Sequence, residues 1–96
     1  MANKPNEIKI NIPPHIQAGV YANSMTVTHT KDEFIMDFSL ITPPVGTVNA
    51  RVITSPGHAK RIIAALQENV RRYESQFGTI VEADILQGKG PIGFNA

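Results

Sequence analysis

"SPGHAKRIIAALQENVRRYESQFG", Ser55 to Gly78, decides the fold, because here the apolar period becomes 3.6 whereas the segments before it run on a period of 2. Ala59, Ile62, Ile63, Leu66, Val70, Tyr73 and Phe77 recur at spacings of three and four, one stripe of a helix. Both ends are marked: Ser55 suits the N-cap, Pro56 the first helical position, and Gly78 follows the last periodic residue. The spacing predicts a helix over 56–77, roughly 33 Å long at 1.5 Å per residue. That length spans a small domain and leaves room to meet a second subunit.

Upstream, the pattern is that of strands. "EIKINI" alternates, with Ile8, Ile10 and Ile12 on one face, until Pro13 and Pro14 stop it. "VYANSMTVTHT" sets Tyr21, Met25 and Val27 against Ala22, Ser24, Thr26 and Thr28. Beyond the turn-like Lys31 to Glu33, "FIMDFSLI" runs Phe34, Met36, Phe38 and Leu40 down one face, so an antiparallel hairpin is expected. After "TPPVGT", "VNARVIT" places Val48, Ala50 and Val52 together on a further strand. Past the helix, "TIVEADI" reads as a short strand or an irregular extension.

The expected architecture is α+β: an antiparallel sheet of about four strands with the helix over 56–77 packed on one face. Residues 1–86 form one domain with a frayed start at 1–6, and 87–96 is a Gly/Pro-rich tail. In that tail Ile92 and Phe94 leave two readings open, docking in a groove or disorder.

The totals narrow the function. At 96 residues the core is thin, and nine basic against eight acidic residues fall short of a nucleic-acid-binding signature. The absence of cysteine excludes disulfides, thiolate nucleophiles and sulfur-ligated metals. No apolar run approaches the roughly 20 residues of a membrane span, and the cytoplasm is the expected compartment.

Two groups of residues stand out. His58, Lys60 and Arg61 at the helix start, with Arg71 and Arg72 further along, are candidate contacts for an anion or a partner, since a helix N-terminus favours negative charge. The plainer account is a capped helix start and a solvated face, for no Gly-rich phosphate loop is present. Ile35 and Ile41 flank Asp37 on the second sheet face, where one helix cannot also lie. Together with Arg51, which has the parity to pair with Asp37, they are the candidate oligomer interface. His15, His29 and His58 lack metal-ligand spacing, and Asp32, Glu33 and Asp37 read better as a turn and one strand position than as paired catalytic carboxylates. No nucleophile, base and orienting group occur together, so neither an enzyme nor a cofactor is expected.

"GVYANSMTVTHTKDEFIMDFSLITP" and "SPGHAKRIIAALQENVRRYESQFGTI" closely resemble a family of small prokaryotic proteins known as domain of unknown function 3467. The resemblance is carried by Tyr21, Ala22 and Asn23; by Thr28, His29, Glu33 and Phe34; by Asp37 and Phe38; by Pro56, His58, Ala59, Lys60 and Arg61; and by Gln76, Phe77 and Gly78. It implies no activity. The order of strands, one long helix and a trailing "PIGF" is also similar, at the level of fold alone, to the protein-export chaperone SecB. The expectation is therefore a non-catalytic oligomeric interaction module, with a second copy as partner and extended polypeptide as a further one. An anion- or nucleic-acid-binding regulator is the alternative.

Overall fold

The computed structural model describes residues 6–84. The tail over 87–96 lies outside them, as does most of the polar start. A short helix α1 (Pro14–Gln17) precedes strands β1 (Ser24–His29), β2 (Phe34–Thr42) and β3 (Val45–Thr54), and α2 (Pro56–Phe77) follows at once. The strands form one antiparallel sheet in the order β1-β2-β3.

Local chemistry explains each connection. Between β1 and β2, the Thr30 hydroxyl accepts from the Asp32 and Glu33 N–H groups, each at 3.2 Å, and the Thr30 N–H closes the turn on the Glu33 carbonyl at 2.9 Å. His29 stacks on Phe34 across that end, with ring centroids 5.4 Å apart. Between β2 and β3 the link is Pro43–Pro44, joined by a cis peptide bond.

The register sorts the faces. Phe34, Met36, Phe38 and Leu40 share one face, with Met25 and Val27 of β1 and Ala50 and Val52 of β3 opposite them. Ile35, Asp37, Ser39 and Ile41 share the other, beside Ser24, Thr26 and Thr28. Val48 departs from expectation: it pairs with Ser39 and so lies on the face opposite Ala50 and Val52. The cause is a bulge, because Phe38 pairs with Ala50 and Ser39 with Val48, leaving Asn49 as an extra residue that inverts the parity beyond it.

The chain reaches β1 by crossing β2. Asn49 of β3 donates to the Tyr21 carbonyl at 2.9 Å, while Asn23 exchanges hydrogen bonds with the Ile41 backbone of β2. Ser39 and Ile41 are buried and Leu40 between them is not, which puts the crossing on the Asp37 face.

Two further expectations are corrected. Among the described residues the sheet has three strands rather than about four, because the alternating segment at Ile8, Ile10 and Ile12 lies outside it, with Ile10 89% exposed. Alternation sets which side chains share a face, whereas a strand also requires a ladder partner, and neither edge of this sheet supplies one. Of the two readings left open for the segment after Gly78, its described part, to residue 84, is the irregular extension.

The second concerns α2. Its bounds, its Ser55 cap and its end at Gly78 (φ 94°) agree with the pattern, but it does not pack along either sheet face. None of its residues is buried, and Leu66 and Phe77 are 61% and 66% exposed. The Cα radius of gyration is 17.3 Å, against about 13 Å for a compact domain of this length.

Candidate functional site

Asp37 and Arg51 face each other across β2 and β3. Arg51 Nε donates to Asp37 Oδ1 at 2.6 Å and Nη2 to Oδ2 at 2.9 Å, the paired fork that a planar guanidinium forms with a carboxylate. Asp37 is 5% exposed, whereas the Arg51 side chain is 61% exposed, so the carboxylate is the inner partner. Hydrogen bonding from Arg51 holds the Asp37 carboxyl below its ordinary range although burial opposes it, and the same bond raises Arg51. A general acid or base works best near the ambient pH, so this pair is suited to joining strands rather than to moving protons. Glu33 stands four residues away, about 13 Å along an extended strand, too far to share a proton with Asp37.

Of the residues expected to form an interface on this face, Asp37 and Ile41 are already buried within one chain. Ile35 is half-buried, and its partner in register, Ile53, is exposed.

At the start of α2, the Ser55 hydroxyl accepts from the His58 N–H at 3.1 Å, and the Ser55 carbonyl accepts from the Ala59 N–H at 3.0 Å. His58, Lys60 and Arg61 occupy the first two turns. Arg71 is ten residues beyond Arg61, about 15 Å along the axis, so the two basic groups do not converge. Arg71 and Arg72 both donate to Glu68, Arg72 Nε at 3.1 Å, so one carboxylate offsets half the charge of this second group.

His15, His29 and His58 sit on α1, at the end of β1 and at the start of α2. Among the described residues, no three His, Asp or Glu side chains gather where they could hold a metal ion.

The feature that motif reading missed is the apolar surface itself. Among the described residues nineteen large apolar side chains are exposed, while Met36 and Ile41 alone form the buried apolar core, and no side chain is fully buried. On the sheet, Met25, Val27 and Val52 are exposed beside Met36. On α2, a shallow groove runs along Ile63, Leu66, Gln67, Val70, Arg71 and Glu74. The low charged fraction, 18%, and a helix too long and too narrow to cover both sheet faces were the signals in the sequence that surface of this kind exists.

A sequence model of the family described as protein of unknown function (DUF3467) matches residues 1–82. The chain belongs to that family. No curated protein and no solved structure matches it.

Proposed function

We propose that this member of the DUF3467 family is a non-catalytic, homo-oligomeric interaction module whose apolar surfaces are shared between copies. The supporting observation is that, among the described residues, a two-residue apolar core stands beside an uncovered helix and a half-covered sheet. Ordering a backbone costs about 1–2 kcal/mol per residue, and burial at roughly 25 cal/mol per Å² is the main term that offsets it. A chain that leaves its large side chains in water gains that term by association.

The exposed apolar sheet face and the edges of β1 and β3, unpaired among the described residues, also suit an extended polypeptide, which extends the reading towards client binding. The likeness to SecB rests on element order alone. Anion or nucleic-acid binding would depend on His58, Lys60 and Arg61, because Glu68 holds Arg71 and Arg72.

Light scattering at micromolar concentration tests the central claim. A dimer or larger assembly, with an unfolding midpoint that rises with chain concentration, is expected. A strict monomer with a concentration-independent midpoint overturns it. Suppressed aggregation of an unfolded client would support the polypeptide extension, and no effect on clients would remove it.

A further inference from the structure

We infer that α2 pairs antiparallel with α2 of a second copy, about a two-fold axis level with residue 68. This rests on the oligomeric reading above and narrows it to one surface and one orientation.

Three observations carry it. The first is spacing: Ala59, Ile63, Leu66, Val70, Tyr73 and Phe77 are separated by 4, 3, 4, 3 and 4 residues. This is a heptad seam, widened by Ile62 at g only in its first turns and otherwise narrower than the stripe a helix needs to lie on its own sheet, with Ile63, Val70 and Phe77 at a and Ala59, Leu66 and Tyr73 at d. The series reads the same in both directions. In the antiparallel arrangement Ala59 meets Phe77, Ile63 meets Tyr73 and Leu66 meets Val70, so each bulky aromatic opposes a smaller aliphatic residue.

The second is charge. In an antiparallel pair the e positions face one another, and here they are Lys60, Gln67 and Glu74. The axis that aligns the apolar layers sets Lys60 opposite Glu74 of the second copy, twice, and Gln67 opposite its own equivalent. Lys60 has no ion-pair partner among the described residues. Glu74 accepts from the Ile80 N–H through Oε2 at 2.8 Å, which leaves Oε1 for a lysine. A parallel pair would instead place e against g, where Ile62, Asn69 and Gln76 carry no charge. Arg61, Glu68 and Arg72 fall on the outer face and Arg71 on the flank that borders the groove, so the ion pairs with Glu68 stay exposed to water.

The third is area. The exposed parts of Ile63, Leu66, Val70, Tyr73 and Phe77 correspond to on the order of 600 Å² per chain, or about 1,200 Å² for the pair, the lower bound of a specific interface. The groove along α2 borders Gln67 and Glu74, the flank this arrangement brings together.

The chain has no cysteine, so single introduced cysteines report contacts between copies. With a short bis-maleimide, full-length Gln67→Cys should cross-link, whereas Ser75→Cys on the outer face should not. Lys60→Cys alone should stay uncross-linked, because its equivalent lies 16 residues along the axis, about 24 Å away. An equimolar mixture of Lys60→Cys and Glu74→Cys chains should cross-link. Lys60→Glu should raise the dimer dissociation constant about 5- to 10-fold, and adding Glu74→Lys should restore it. Cross-linking of Lys60→Cys alone would mean parallel pairing and overturn the proposal. An oligomer that persists without cross-linking at Gln67 overturns the helix pair and leaves the oligomeric reading standing. A strict monomer removes both.

Discussion

The side chain of Asn23 is bonded in both directions to the backbone of Ile41: Nδ2 donates to the Ile41 carbonyl at 2.9 Å, and the Ile41 N–H donates to Oδ1 at 2.8 Å. An amide side chain presents the same donor and acceptor as a peptide unit, so Asn23 extends the β1–β2 ladder where the incoming chain has already turned away. Asn23→Ala should lower unfolding free energy by about 1–2 kcal/mol, since it leaves both Ile41 groups unpaired. Asn23→Asp keeps the acceptor and loses the donor. Urea titration at fixed chain concentration checks both, and an unchanged midpoint for Asn23→Ala would remove the ladder argument.

The Asp37–Arg51 pair predicts a direction with pH. The folded-state pKa of Asp37 is lowered, so the unfolded chain takes up its proton at a higher pH than the folded one. The pair's contribution is therefore fully present above the ordinary carboxylate value, about 3.9, and is lost as pH falls below it through the folded value. Asp37→Asn should flatten the acid limb of stability against pH. Arg51→Met removes the main cause of the shift and leaves burial, so the Asp37 carboxyl should titrate higher than in the wild type. Carboxyl NMR titration measures this directly.

The two ends of α2 should respond as caps. Ser55→Ala removes the acceptor for the His58 N–H and should cost about 1 kcal/mol, whereas Ser55→Asp should be nearly neutral. Gly78 sits at φ 94°, a region that side chains disfavour, so Gly78→Ala should cost about 1 kcal/mol. Circular dichroism at 222 nm during thermal unfolding tests both.

Glu68 controls the charge of the outer helix face. Glu68→Gln should cost less than about 1 kcal/mol, because exposed ion pairs contribute little, and that cost should fade in high salt. It also frees two guanidinium groups, so a labelled oligonucleotide should bind this variant more tightly than the wild type at low salt. Equal binding would show that Arg71 and Arg72 do not touch the nucleic acid.

What was legible in the sequence was local. The bounds of α2 follow from the cap residues and a 3.6 period, and the parity that set Asp37 beside Arg51 follows from the alternation of β2 and β3. What was not legible depended on partners at a distance. Ile8, Ile10 and Ile12 carry the pattern of a strand but lie beside no edge. The stripe on α2 is equally compatible with a sheet or another helix, and periodicity alone does not choose between them. The bulge at Asn49 is a third kind of case, since no glycine or proline marks it. Of the residues weighed as sites, Asp37 and Arg51 come together, while His58, Lys60 and Arg61 stay apart from Arg71 and Arg72.

That bulge makes the residue count of β3 a constraint separate from its residue types. Deleting Asn49 would close the ladder without a bulge and leave Val45 to Val48 opposite the same partners, with Gly46 still against Ile41, where a Cβ at position 46 would stand at 3.3 Å. Over evolutionary time, substitutions in this strand can be absorbed one at a time. A change in length moves half the strand at once unless it falls at the bulge, so gaps between homologous chains across β3 should sit at Asn49 and nowhere else in the strand.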